Sequence, residues 1–300
     1  MSSVPEPESS TVTANGIDLY LSTWKAQGTP PDDPKAIVVV YHGFLSHGRY
    51  PTVRYAAELL SAAGYTVLAP DMRGHGKSPG ERGYIPNVQT LIDDAVAVAQ
   101  HATTLCGTAV KKKKIFLMGS SMGGALSLHV AHELNQPGKD TTTVDGVILL
   151  APMLALKVSP LARSLVGALA AVVPTLNAIP SSSTDPDKQY RDPQKRDECV
   201  HDELTIESKY LRVGSASTAV EMAATMQDKF ETTTVPYICM VASQDVVVDP
   251  EGSRKFHQQS SSKDKTIKEY EALHGLLCEP EPLLTEIHKD LLDWINERSA

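Results

Sequence analysis

The chain has 300 residues, of which 41% are apolar and 21% charged, and 28 basic against 36 acidic residues give a formal net charge of −8. That is the composition of a soluble globular protein with one sizeable core, and its acidic surplus argues against a nucleic-acid surface. The four cysteines, Cys106, Cys199, Cys239 and Cys278, form no C-x-x-C pair and fit a reducing, cytoplasmic setting.

Residues 1–10 read as a disordered tail, with neither the basic stretch nor the apolar stretch of a signal peptide. Two short runs flank Asn15-Gly16 between Val12 and Thr23, a hairpin pattern. Ala36–Tyr41 is a continuous β-branched run, as expected of a strand buried on both faces, and His42-Gly43-Phe44 stands at its carboxyl end. Tyr50–Ala63 reads as a helix stopped by Gly64, followed by a strand at Tyr65–Ala69 and a glycine-rich loop to Gly83. Asn87–Leu105 has helical spacing, with Ile92, Val96 and Ala99 on one stripe. Lys111–Lys114 is the only tight basic run and reads as a solvated loop end before a strand at Lys114–Met118.

Gly119-Ser120-Ser121-Met122-Gly123 closes that strand, and Ala125–Leu134 reads as the helix behind it. A sharp strand-to-helix turn lifts one hydroxyl above the sheet, and the flanking glycines leave room for it. Ser121 is therefore the candidate nucleophile. Further strands are expected at Val147–Leu150, Pro236–Ala242 and Lys265–Glu269, and a closing amphipathic helix at Leu283–Asn296. Strand and helix in alternation predict an α/β fold, a mostly parallel sheet with helices on both faces. The 85 residues between Leu150 and Pro236 are too many for an ordinary crossover and predict an inserted helical cap over 152–234. The core then comprises 11–151 and 235–300. Within the insertion, Leu161–Ile179 carries a single charge, Arg163, and reads either as an amphipathic lid that touches lipid or covers an acyl tunnel, the favoured reading, or as a buried core helix.

Ligands of such sheets sit at the carboxyl ends of the strands. Ser121, Asp245 and His274 fall at or just beyond such ends, in the chain order used by serine hydrolases of this architecture. His75 precedes the serine and is expected to bond within its own loop. Asp249 is placed to cap a helix starting at Pro250, and Asp71 to stabilise its loop. No metal-ligand spacing and no dinucleotide fingerprint occurs, so neither a metal nor a cofactor is expected, and no motif speaks to oligomeric state.

On His42-Gly43-Phe44, Asp71-Met72-Arg73-Gly74-His75-Gly76-Lys77-Ser78, Gly119 to Gly124, Ala151-Pro152-Met153, His201-Asp202-Glu203-Leu204, Asp245-Val246-Val247-Val248 and Leu273-His274, the sequence resembles the monoacylglycerol lipase family of α/β-hydrolases. Serine aminopeptidase S33-like proteins, caffeoylshikimate-type esterases and lysophospholipases are related to it. The resemblance implies an eight-stranded α/β-hydrolase sheet with a helical cap. It implies a triad of Ser121, Asp245 and His274, and an oxyanion hole from the backbone amides of Phe44 and Met122. His42, Gly43, Arg49, Gly119, Gly123, Met153 and Leu165 are the further motif and pocket residues. The implied activity is hydrolysis of a monoacylglycerol to fatty acid and glycerol, with a lysophospholipase or caffeoylshikimate-like carboxylesterase as the alternative. The implied partners are a lipid ester and, transiently, a membrane or lipid-aggregate surface. Pro51 replaces a glutamate that animal members use at the polar end of the pocket.

Overall fold

The computed structural model describes residues 5–30, 33–105, 113–136, 138, 142–180, 185–206 and 210–300. Cys106, Lys111 and Lys112 lie outside them. The described half of the lysine run is structural: Lys113 pairs with Asp33, and Lys114 donates to the carbonyls of Arg298 and Ala300 at 2.6 and 2.8 Å.

The chain opens with a hairpin, β1 (Glu8–Ala14) and β2 (Ile17–Trp24), turning at Asn15-Gly16, both at positive φ. Strand β1 begins inside the expected tail. Its start is fixed from afar, because the Arg49 guanidinium donates to Pro7 O at 3.2 Å and to Ser9 Oγ at 2.8 Å. Then follow β3 (Ile37–Tyr41), α1 (Pro51–Ala62), β4 (Thr66–Pro70), α2 (Val88–Thr104), β5 (Ile115–Ser120), α3 (Met122–Leu134) and β6 (Gly146–Leu150). Proline opens α1, and Asn87 caps α2 by accepting from Thr90 N at 2.8 Å, supplying an acceptor that a first turn lacks.

Between β6 and the next sheet strand lie α4 (Pro160–Ala170), β7 (Asn177–Pro180), α5 (Pro186–Gln189), α6 (Pro193–Val200), β8 (Tyr210–Arg212) and α7 (Val213–Gln227). The chain closes with β9 (Tyr237–Ala242), α8 (Pro250–Gln259), β10 (Lys265–Tyr270), a 3₁₀ turn at Leu276–Cys278 and α9 (Leu283–Ser299). The main sheet has eight strands in the order β1-β2-β4-β3-β5-β6-β9-β10, antiparallel at β1-β2-β4 and parallel from β4 onward. The mostly parallel α/β sheet expected from the sequence is the one observed.

Strand alternation builds two core layers. Val39, Leu117, Leu149 and Cys239 face α2, α3, α7 and α8, where Leu91, Leu126, Met226 and Phe256 are buried. Val38, Phe116, Ile148 and Ile238 face α1 and α9, where Leu60, Leu291 and Trp294 are buried.

Two features differ from the sequence expectation. Leu161–Ile179 is not one helix. Helix α4 ends at Ala170, and residues 177–180 form β7, which pairs with β8. Pro174 lacks the amide a continued helix needs and disfavours helical geometry in the residue before it. Secondly, α7 packs on α2 and α3, and its Met222 and Met226 belong to the core layer. Its amphipathic face is therefore spent on the sheet side of the molecule.

Candidate active site

The turn from β5 to α3 is built by glycines that have no room for a side chain. A Cβ on Gly123 would lie 2.0 Å from Tyr41 O, and one on Gly119 would lie 2.2 Å from the Gly123 carbonyl. Helix α3 therefore starts pressed against the end of β3. Ser121 between them sits at φ 56, ψ −121, a backbone region costly for a residue with a side chain. The strain is held by hydrogen bonds: Ser121 N donates to Leu150 O at 3.1 Å, and Ser121 O accepts from Gly124 N at 3.0 Å and Met153 N at 2.9 Å. Met122 opens α3, so its amide is one of the first-turn donors without an intrahelical acceptor.

Opposite lies the loop after β3. His42 is fully buried; its Nδ1 donates to Gly43 O at 2.7 Å and its Nε2 accepts from Met72 N at 3.0 Å. Burial pushes its pKa down to about 4, which keeps the ring neutral and the Met72 bond intact. The loop is held again at Ser46, whose hydroxyl donates to Gly43 O at 2.9 Å. His47 Nε2 donates to Asp202 Oδ1 at 2.7 Å, tying this loop to the segment after β6. Burial alone would raise the Asp202 carboxyl, but the His47 contact, the Leu204 amide and the Thr205 hydroxyl hold it below its ordinary value.

At the end of β9, Asp245 Oδ1 accepts from the amides of Val247 and Val248 at 2.8 and 3.1 Å. Its Oδ2 accepts from His274 Nδ1 at 2.6 Å. Both side chains are buried, at 1% and 6% exposure. With Nδ1 donating to a carboxylate, the lone pair of the imidazole is on Nε2. Ser121 and His274 line one cavity of about 500 Å³, within the range of a single small-molecule ligand. Gly43, Phe44, Leu45, Tyr50, Tyr190 and Ile206 are among its other walls.

A strained serine elbow, a carboxylate-bound histidine and the loop after β3 thus meet at one cavity, and comparison with known proteins agrees with that arrangement. The family model described as serine aminopeptidase, S33 matches residues 32–281. A monoglyceride lipase of Mus musculus is 31% identical over 298 residues, covering 96% of this chain and 90% of its own. The chain belongs to the monoacylglycerol lipase family of α/β-hydrolases. Among family structures, the monoacylglycerol lipase of Paleococcus ferrophilus shares 27% identity and a TM-score of 0.75 over 93% of this chain and 99% of its own. A soluble variant of the Saccharomyces cerevisiae monoglyceride lipase, solved with a substrate analogue, shares the fold at a TM-score of 0.83 and 21% identity, over 99% of this chain and 97% of its own.

Of the further motif and pocket residues expected from the sequence, Gly43 lines the cavity, whereas His42, Gly119 and Gly123 shape the loop and the elbow behind it, and Arg49, Met153 and Leu165 lie elsewhere. Arg49 fastens the amino-terminal hairpin, donating from Nε to Ser22 Oγ at 2.8 Å as well as to Pro7 and Ser9. Met153 is buried behind the elbow, where its amide bonds Ser121 O. Leu165 is 61% exposed on the outer face of α4. Pro51 opens α1 and is likewise absent from the walls. His75 bonds its own loop through Arg73 O at 2.9 Å, Asp71 accepts from Gly48 N and Lys77 N, and Asp249 caps α8.

The sequence reading missed most of the far wall. Tyr50 and Tyr190 share a hydrogen bond of 2.8 Å between hydroxyls, with Cys199 beside them. Only the position of Tyr50, next to the family motif, could have marked it. Tyr190 and Cys199 carry no local signal, because tertiary packing alone brings α5 and α6 over the site.

Proposed function

We propose that this protein is a serine ester hydrolase that cleaves monoacylglycerols to fatty acid and glycerol through an acyl-enzyme. The carrying observation is the 2.6 Å Asp245–His274 bond beside a cavity that the strained Ser121 elbow also lines. Ser121 Oγ attacks the ester carbonyl and passes its proton to His274 Nε2. Asp245 fixes the tautomer and stabilises the imidazolium. The amides of Phe44 and Met122 receive the oxyanion, assisted by the amino-terminal end of α3. His274 then protonates the departing glycerol oxygen. Water, deprotonated by the same nitrogen, releases the fatty acid.

The cavity supports one acyl chain rather than three. Phe44, Leu45, Val200 and Ile206 give it an apolar wall, and the Tyr50–Tyr190 pair, Thr52 and Gln189 give it a polar one. We read residues 152–234 as an insertion between 11–151 and 235–300 whose stretch from Pro186 to Ile206 walls this cavity while its α7 packs back on the core. We also propose that the outer face of α4 rests on lipid. On α4 Leu161 and Leu165 are 71% and 61% exposed, and Val172 just beyond its end is 78% exposed, while Ala162, Val166 and Ala170 are half-buried on the side toward α7. Among the described residues no helix is long and apolar enough to cross a membrane.

The test is kcat/KM for monooleoylglycerol, lysophosphatidylcholine, trioleoylglycerol and a caffeoyl ester under one detergent condition. Monooleoylglycerol is expected to lead by at least about tenfold, equivalent to about 1.4 kcal/mol of transition-state stabilisation. A lead by the lysolipid or the caffeoyl ester rejects the substrate assignment.

A further inference from the structure

His274 sits in a loop that the sheet does not hold. Strand β10 ends at Tyr270, and the amides flanking the histidine are bonded by groups outside the sheet. Leu273 N donates to Glu279 Oε1 at 2.6 Å, and Gly275 N donates to Gln189 O at 2.8 Å. Gln189 ends α5, so one of these anchors comes from the segment roofing the cavity. Two residues later, Arg191 reaches down to three places at once. Its Nη1 donates to Glu271 O at 3.0 Å and lies 3.2 Å from Glu279 Oε2. Its Nη2 donates to Gln244 Oε1 at 2.6 Å. Gln244 precedes Asp245, and its Nε2 returns to Glu271 Oε1 at 2.9 Å.

The Glu279 side chain has no exposure to solvent, and the Arg191 side chain is about one-third exposed. A buried carboxylate is costly unless its oxygens are bonded. Here one oxygen fixes the amide beside the base, and the other, which accepts no hydrogen bond, relies on its ion pair with a guanidinium whose fork reaches the neighbour of the acid. Lysine could not reproduce that three-way geometry.

We propose that Arg191 and Glu279 are positioning residues that set the Asp245–His274 pair from the roof of the cavity. Neither touches substrate. Glu279 orients the backbone of His274, and Arg191 clamps the acid loop, the base loop and the α5–α6 segment into one rigid unit. This inference rests on the reading of His274 as the base. A misplacement of that base by about 1 Å costs on the order of 10²-fold in rate.

The experiment compares Glu279→Ala, Glu279→Gln, Arg191→Ala and Arg191→Lys with wild type on monooleoylglycerol. His274→Ala is the reference, and Arg196→Ala, whose partner is Asp187, is the control on the same segment. Each variant is also titrated with a fluorophosphonate, whose end-point stoichiometry counts folded sites and whose labelling rate reports on the base. Glu279→Ala is expected to lose about 10-fold to 100-fold in kcat, with KM within about threefold and near-full end-point labelling at a reduced rate. Glu279→Gln, which keeps an acceptor for the Leu273 amide, should recover most of that loss. Arg191→Ala and Arg191→Lys should both lower kcat, and Arg196→Ala should not.

The positioning role is overturned if Glu279→Ala and Arg191→Ala keep kcat within about twofold of wild type, or if lost titratable sites account for their whole deficit. An active His274→Ala would instead remove the reading of the base on which the inference stands.

Discussion

At Ser121, the proposed nucleophile, the backbone itself is strained. A positive φ on a residue with a side chain is tolerated because Gly119 and Gly123 let β3, β5 and α3 close around it. Gly123→Ala would place a methyl 2.0 Å from Tyr41 O, with backbone on both sides and no flexible side chain to yield. The expected result is loss of at least about 10²-fold in kcat for whatever fraction folds, since the elbow and the Met122 amide must both move. Active-site titration separates that loss from loss of fold. If Phe44 serves the oxyanion through its amide, as proposed, Phe44→Ala should change the relative kcat/KM for different acyl chains more than the rate of phosphonylation by a small fluorophosphonate. The Gly-x-Ser-x-Gly turn and the order Ser121, Asp245, His274 were legible in sequence because the elbow and the strand ends are local features. Arg49 and Met153 misled because a motif residue can serve the scaffold: one binds the hairpin, the other buttresses the elbow.

At the scale of elements, β-branched runs and glycine stops located every strand of the main sheet to within a residue or two, except at the start of β1. Strand β1 extends to Glu8 because Arg49, some forty residues on, bonds its start, and no local pattern carries that information. The same reason limits the reading of Leu161–Ile179, where low charge suggested a single lid helix. Pro174 and the pairing of β7 with β8 break it into a helix and a strand. What remains exposed is the outer row of α4. Burying a leucine-sized side chain stabilises by roughly 1.5–3 kcal/mol, so two or three such contacts suffice for reversible membrane binding. Leu165→Glu combined with Leu169→Glu should weaken liposome sedimentation while sparing hydrolysis of a short soluble ester, because neither side chain lines the cavity. Unchanged liposome affinity would mean that α4 faces water. On the opposite side of the sheet, Leu291→Ala in α9 removes a fully buried side chain from the second core layer. It should cost about 2–5 kcal/mol in urea unfolding with the slope unchanged.

For the whole molecule, burial of histidines predicts the direction of its acid sensitivity. His42 and His129 have pKa values pushed down to about 4, and His75 to about 3, each chiefly by burial. In the unfolded chain these rings titrate near their ordinary value of about 6.5. Between about pH 4 and 6.5 the unfolded state therefore binds more protons, so stability rises with pH across that window and is fully present above it. Glu279, raised by burial, acts in the opposite sense, but one carboxyl opposes three imidazoles. The urea midpoint should fall as pH is lowered from 7 to 4.5, and a flat midpoint would mean that these rings are protonated in the folded protein. The proposed hydrolysis stands on Ser121. Its most direct test is mass mapping of the adduct formed with a fluorophosphonate, paired with monooleoylglycerol turnover by Ser121→Ala. A single adduct on Ser121 and a loss of at least about 10³-fold in kcat for the variant are expected. An adduct on another residue, or a Ser121→Ala protein that still hydrolyses monooleoylglycerol at a wild-type rate, would contradict the proposal.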